Sequence, residues 1–349
     1  MLKAVKRNLK QYFMRPFCQE AMSSEDTGID AKTFLPGYFK SFGDRNPDKL
    51  FYVIWLDAGP GFFSTLSAVL CHLKISDASG MVPVIDFQNF RNLYNVNMPV
   101  NNTKNAWEYY FKPVSPFTLK EVYESKNVFF CSGFYPTSMS YSITMINGLY
   151  DEIYKKYIFL QDYIEDNLKK YMELFNNKVL GVHFRGKEIN IAPGHSFAPT
   201  EKQMIKYTNE IIGKYDIDKV FLVTEEQRYL DLFVKKFGNK VYYTDSYRNY
   251  RINSYNINPR KNHRYLLGLE VLIDAHLLSM CNGILCGDSN VSEYARFINN
   301  KKYEFIYVIR NGVNSRNLYL ARYLYRIKKM LPGKSGGLLD VVDRFGAKN

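Results

Sequence analysis

The stretch Lys178 to Asn190 reads Lys-Val-Leu-Gly-Val-His-Phe-Arg-Gly-Lys-Glu-Ile-Asn. Val179, Leu180, Gly181 and Val182 have the character of a short buried strand, and His183, Arg185, Lys187 and Glu188 follow at once. In an open α/β sheet, ligands sit outside the carboxyl ends of the strands. A strand ending in His-x-Arg therefore delivers an imidazole and a guanidinium to that place. The guanidinium fork holds a phosphate through paired, charge-assisted hydrogen bonds. The plainer alternative is a core His and a surface Arg at an ordinary strand end.

The elements that must position these groups follow in an order that carries a resemblance. Gly181-Val182-His183-Phe184-Arg185 is similar to the first donor-binding motif of the GT-B fucosyltransferases. That superfamily contains the α1,6-fucosyltransferases, the Nod-factor fucosyltransferases and the protein O-fucosyltransferases. Val220-Phe221-Leu222-Val223-Thr224-Glu225-Glu226 resembles its apolar strand followed by Thr and two acids. Glu270 to Ser279, then Gly287-Asp288-Ser289-Asn290-Val291-Ser292, resembles its helix carrying an Asp, its strand and its Ser-Ser-x-Val turn. The three blocks span Lys178 to about Asn300. The resemblance implies a GT-B-like α/β fold, two Rossmann-like doubly wound domains facing a cleft, with the nucleotide-sugar donor in the C-terminal half.

Composition agrees with a folded two-domain protein. The chain has 349 residues, 46% hydrophobic and 23% charged, longer than one core usually grows. Formal net charge is +13, which favours anionic partners such as nucleotide phosphates, acidic lipid headgroups or nucleic acid. The five cysteines (Cys18, Cys71, Cys131, Cys281, Cys286) are scattered, with no Cys-x-x-Cys pair. They read as reduced thiols in a cytoplasmic protein rather than as a zinc site or a disulfide framework. No apolar run is long enough for a transmembrane helix, and the N-terminus lacks a secretory apolar core.

Four segments are expected. Residues 1–48 are a basic N-terminal segment and polar loop, and 49–175 an acceptor domain. Residues 176–310 form the donor domain, and 311–349 a C-terminal helix and tail. Met1 to Pro16 carries Lys3, Lys6, Arg7, Lys10 and Arg15 among apolar residues with no acid, either a membrane-surface anchor or a solvated helix. Ser315 to Lys329 is a second such run, so peripheral attachment to an anionic membrane face is expected; its alternative is burial of the apolar side between domains.

Leu50 to Leu56 is an apolar run expected as the first central strand. Asp57-Ala58-Gly59-Pro60-Gly61-Phe62-Phe63-Ser64 follows, with helical spacing from Thr65 to Ile75. Strand, Gly-rich turn and helix make a ligand-facing layout. It is neither a dinucleotide fingerprint nor a Walker A loop. The family carries Gln or Asn beyond its glycines, where this chain has Phe62, Phe63 and Ser64. A tight turn without ligand is the alternative for Gly59, Gly61 and Ser64. Asp86 ends a second strand, Pro83 to Phe87, as a substrate contact or a solvated acid. Trp107, Tyr109, Tyr110 and Phe111 form an aromatic cluster that either stacks on an acceptor sugar or belongs to a core.

Asp151 to Phe175 reads as one long helical region. Beyond Lys178, strands alternate with helices: Thr200–Lys214, Lys219–Thr224, Gln227–Phe237, Lys240–Thr244, Tyr265–Met280, Gly283–Cys286, Ser292–Asn299, and a last strand at Phe305–Ile309. That alternation predicts a parallel doubly wound sheet.

Sugar transfer from a nucleotide sugar requires a stabilised diphosphate leaving group and a deprotonated acceptor hydroxyl. Asp216-Ile217-Asp218 precedes its strand and so faces the wrong edge for a metal-held diphosphate; no metal and no other cofactor is expected. By resemblance, Arg185 and Ser289, beside Asp288, match donor β-phosphate positions, and His183 and Asp274 match positions near the nucleoside. Glu225 and Glu226 match paired acids near base or ribose. An Asp accepting two guanine protons favours a GDP-sugar over UDP. For the general base, Glu188 and His195 stand level. The expected function is an inverting, metal-independent glycosyltransferase moving fucose or a similar sugar to a glycan or lipid-linked glycan hydroxyl. The alternatives are a non-catalytic glycan- or nucleotide-sugar-binding protein, or a basic nucleic-acid binder; no nucleic-acid motif is visible.

Overall fold

The computed structural model describes residues 37–56, 61–131, 148, 150–250 and 254–346. Met1 to Pro16 and Gly59 therefore lie outside the described residues, as do the side chains of Lys187 and Glu188. The chain divides into two compact units, one of described residues up to Gln161, the other of those from Asp162 onward.

The first unit is built on β1 (Gly37–Lys40), β2 (Phe51–Ile54), β3 (Val82–Ile85) and β4 (Val128–Cys131), in the order β1-β4-β2-β3. β2 lies parallel to both β3 and β4, and β1 is an antiparallel edge. All four residues of β2 are buried, which is why the strand reads as a continuous apolar run rather than an alternating one. Helix α1 (Phe62–Ala78) follows β2 and covers the sheet with Phe63, Leu66, Leu70 and Leu73.

The second unit carries a six-stranded sheet ordered β10-β9-β8-β5-β6-β7. Its strands are β5 (Val179–His183), β6 (Lys219–Val223), β7 (Val241–Tyr242), β8 (Gly283–Gly287), β9 (Phe305–Arg310) and β10 (Val341–Gly346). Pairing is parallel except between β9 and β10. The helices numbered on from α1 are α2 (Asp151–Tyr157), α3 (Asp162–Lys169), α4 (Glu201–Tyr215), α5 (Gln227–Phe237), α6 (His263–Met280), α7 (Asn290–Asn299) and α8 (Leu318–Met330). α2 belongs to the first unit and the others to the second. Both units are α/β, and the second is doubly wound: the chain runs outward from β5 through β6 to β7, then returns to place β8 on the other side of β5. The core pairs Leu180, Val182 and Leu222 of the sheet with Met204, Ile211 and Phe233 of the helices. Gly181 admits α6 closely: a Cβ there would stand 3.0 Å from Leu278 and 3.1 Å from Cys281.

Two expectations are corrected. The helical region at Asp151 to Phe175 is broken into α2, α3 and a short 3-10 turn at Met172–Asn176. The cause is backbone pairing: Lys112 N–H donates to Phe159 O at 2.8 Å and Gln161 N–H to Tyr110 O at 3.0 Å, which removes Ile158 to Gln161 from any helix. The strand at Phe305 is not the last, because β10 pairs with it from Val341↔Arg310 to Gly346↔Phe305. It carries charges at Asp343 and Arg344, as edge strands do, and its partner lies on the far side of α8 in sequence.

Candidate active site

The order reversal between β5 and β8 leaves a crevice at the carboxyl ends of these two strands, the position at which open α/β sheets take ligands. Arg185 emerges from β5 and Ser289 from β8. Arg185 Nη1 donates to Ser289 Oγ at 3.3 Å, while the buried Arg185 Nε has no hydrogen-bond partner. Among the described residues no carboxylate pairs with Arg185. Ser289 is also the N-cap of α7, its Oγ accepting from Val291 N–H at 3.4 Å. A guanidinium that no described carboxylate pairs therefore stands beside a helix N-terminus, where exposed N–H groups and the helix dipole both favour an anion.

Next to it lies a cavity of about 160 Å³ whose walls include His183, Arg185, Glu225, Glu226, Glu270 and Asp274. His183 is fully buried, its Nδ1 has no hydrogen-bond partner, and burial together with the Arg185 charge holds its pKa down at about 3. It is a neutral ring throughout the physiological range. Asp274 closes the cavity from α6. Thr244 Oγ1 donates to its Oδ1 at 2.6 Å and Ser246 Oγ to its Oδ2 at 3.1 Å. Burial raises its pKa to about 6 against those hydroxyls and the charge of Arg248. The carboxylate keeps lone pairs free beyond the two hydroxyls, enough to accept from a polar heterocycle. Gly186 must be glycine for Glu225 to stand where it does, since a Cβ would approach Glu225 Oε1 to 2.9 Å.

Part of the remaining wall comes from the loop that follows β7. Glu270, one turn before Asp274 on α6, takes both guanidinium nitrogens of Arg260 at 2.5 and 2.7 Å and Tyr247 N–H at 3.1 Å. Arg260 Nε donates to His263 Nδ1 at 3.1 Å, leaving His263 Nε2 to donate to Ser254 O at 3.0 Å. Arg248 Nη1 donates to Thr244 O and Ser246 O. Arg248 and Arg260 are thus tied into the cavity wall. The signal available in sequence was the spacing Leu267, Glu270, Val271, Asp274, which puts all four on one helix face; all four line the cavity.

Other sequence candidates fall elsewhere. His195 is exposed on the loop after β5 and does not line the cavity; partial desolvation and the Arg185 charge lower its pKa, so it is a free base at neutral pH. Asp288 faces Arg310 at 3.8 Å, outside the cavity lining. Gly61 is the N-cap of α1 with extended backbone, and Ser64 lies in that helix's first turns. Trp107 is 3% exposed and packs on Phe111 at 4.5 Å, with Tyr109, Tyr110 and Phe111 also buried. The cluster is core of the first unit and presents no open stacking face. Asp86, fully buried, is neither solvated nor open to substrate: it accepts from Tyr123 Oη at 2.5 Å and from Asn89 N–H and Nδ2. Asp216 is the left-handed C-cap of α4, and Asp218 accepts from Lys178 N–H at 2.8 Å, so both sit at the amino edge of the sheet. Among the described residues no group of three His, Cys, Asp or Glu side chains could hold a metal ion. Cys71, Cys281 and Cys286 are buried free thiols.

No protein-family model and no curated protein matches the chain. Among solved structures, it is similar to the fucosyltransferase NodZ from Bradyrhizobium, with TM-score 0.49 and 15% identity over 86% of this chain and all of that one. It is similar also to NodZ α-1,6-fucosyltransferase soaked with GDP-fucose, with TM-score 0.48 and 16% identity over 75% of this chain and 95% of that one. POFUT1 in complex with GDP matches at TM-score 0.32 and 13% identity, over 73% of this chain and 70% of that one. These are fucosyltransferases, the class that the sequence motifs resemble, and at such values the likeness transfers no residue role to this chain.

Proposed function

We propose that the chain is a glycosyltransferase that takes a sugar, fucose or one similar to it, from a GDP-sugar to a hydroxyl of a glycan or lipid-linked glycan, by inversion and without a metal. The observation that carries this reading is Arg185, unpaired by any described carboxylate, beside the capped N-terminus of α7 and opening on a cavity that ends in Asp274. A nucleoside diphosphate fits that sequence of groups: heterocycle against Asp274, with its carboxylate accepting two adjacent N–H protons of guanine, and diphosphate against Arg185. As the glycosidic bond breaks, charge accumulates on the β-phosphate, and Arg185 with the α7 N–H groups stabilises it. The acceptor proton goes to a base in the loop after β5, where Glu188 and His195 are the two candidates; His195 is deprotonated at neutral pH and so able to accept it.

Thermal shift against GDP, GDP-fucose, UDP and ADP tests the donor. GDP and GDP-fucose raise the melting temperature, since ligand at a hundred times its Kd stabilises by about 2.7 kcal/mol; equal shifts with all four nucleotides overturn the guanine assignment. Release of GDP from GDP-fucose in the presence of glycan acceptors tests turnover. Tight GDP binding with no release in any acceptor pool would favour the second reading, a nucleotide-sugar-binding protein without catalysis, which the position of His195 outside the cavity lining supports.

A further inference from the structure

Helix α8 has a face that no other described residue covers. Only Ala321 is buried along its length. Tyr319, Leu320, Tyr323, Ile327 and Met330 are 80%, 61%, 61%, 54% and 86% exposed. Their spacing, steps of three and four residues, places them on a single stripe, on a helix roughly 20 Å long. Arg322, Arg326 and Lys329 run along one flank at the same spacing, with Lys328 on the other, and no acid occurs between Asn311 and Leu339.

The helix is held in place without that stripe. Asn317 caps it by accepting from Tyr319 N–H and Leu320 N–H at 2.9 and 3.2 Å. Asn314 Nδ2 donates to Ala321 O at 3.0 Å and to Asn190 O at 3.1 Å, and Tyr325 packs on Phe197 at 5.6 Å. The stripe is a preformed rigid surface and needs no folding step on binding.

A second feature adjoins it. A groove of about 620 Å³ between the start of α4 and the end of α8 is lined by Lys202, Lys206, Lys328 and Lys329, with Leu331 and Leu338. The two acids on its wall are engaged: Glu201 with Arg228 at 2.5 Å and Asp340 with Gln203 at 2.6 Å. Lys328 Nζ also donates to Gly336 O at 3.0 Å. The groove is a cationic pocket continuous with an apolar stripe.

We propose that α8 and this groove dock the protein on an anionic phospholipid surface, the stripe entering the headgroup–acyl boundary and the lysines meeting the phosphates. An apolar face flanked by cations is the arrangement that lies in a membrane interface, with aromatic side chains at headgroup depth. A polynucleotide would meet the cations but leave Leu320, Ile327 and Met330 without apolar partners. A second copy stacked stripe on stripe would bring like-charged flanks together. The proposal is independent of the donor reading.

Co-sedimentation of the full chain at low salt with vesicles of neutral phosphatidylcholine, and with vesicles containing phosphatidylserine, tests it. Binding to the anionic vesicles alone is expected, weakening as salt rises. Leu320→Glu with Ile327→Glu abolishes it, and Arg322→Glu with Arg326→Glu lowers partitioning roughly twentyfold or more. All four positions are exposed, so both variants keep the parental melting temperature. Equal recovery with both vesicle types overturns the proposal, as does full binding by either double variant. Binding to a random oligonucleotide that the Leu320→Glu, Ile327→Glu variant retains, without vesicle binding by the parent, assigns the surface to nucleic acid instead. A dimer in light scattering that this variant dissociates, again without vesicle binding, assigns it to self-association.

Discussion

Arg185 and Ser289 are 104 residues apart in sequence and 3.3 Å apart in space. Arg185 lies just beyond the end of β5 and Ser289 just beyond the end of β8, and the contact exists because these strands are neighbours at the point where strand order reverses. A cation and a helix cap on either side of a switch point make up the proposed anion site, and each half of it can be tested.

Arg185→Ala removes the only guanidinium that lines the cavity among the described residues. The loss should be on the order of 3 kcal/mol in transition-state stabilisation, a hundredfold or more in kcat/KM. GDP affinity by calorimetry falls with it, while the melting temperature without nucleotide is unchanged. Normal turnover with normal affinity would reduce Arg185 to a bystander.

Ser289→Ala acts on both stability and binding. The α7 N-cap is lost, at a cost of about 1 kcal/mol in unfolding free energy, and Arg185 loses a neutral partner. Urea unfolding reads the first effect and GDP titration the second. Since Arg185 retains its charge, the affinity loss should be several-fold smaller than in Arg185→Ala.

The raised pKa of Asp274 makes a pH prediction with a definite sign. Burial lifts the folded value to about 6 from an ordinary 3.8. The stability linked to this group is fully present below about pH 3.8 and is lost as pH rises through about 6. Asp274→Asn carries no such loss. Its unfolding free energy relative to the parent should therefore move in the variant's favour between pH 4 and pH 7, by up to about 3 kcal/mol. Denaturant melts at both pH values check this, and a difference independent of pH would mean the carboxyl is not raised. GDP binding by the variant should weaken, with less discrimination against UDP.

Turnover, once an acceptor is found, should persist in EDTA within about twofold. Arg185 and the α7 N-terminus supply positive charge where a diphosphate would lie, and Asp216 and Asp218 stand at the opposite edge of the sheet. Activity abolished by EDTA and restored by magnesium or manganese would require a different account of the leaving group.

Sequence alone determined the strands that are buried on both faces and the helices with strong amphipathic spacing. β2, β5 and β8 are runs of apolar residues that only a sheet interior accommodates, and α5 was legible to its end residues, Gln227 and Phe237. His183 and Arg185, at and just beyond the end of β5, were legible for the same reason, since a polar group directly beside a buried run must face a ligand site or a partner; Asp274, inside α6, was marked by resemblance. Tertiary structure decided the rest, because long-range pairing leaves no local periodicity. Strand-like pairing with Tyr110 and Lys112 broke the helix expected at Ile158 to Gln161, and β10 found its partner across α8. Burial of Trp107 and Asp86 depended on which side chains surround them in space. Glu270 became a wall of the cavity by gathering Arg260 and Tyr247 from a loop outside the periodicity of its own helix. The exposure of the α8 stripe had the same origin: apolar residues at helical spacing specify a face, and only the packed molecule shows that none of the described elements covers it.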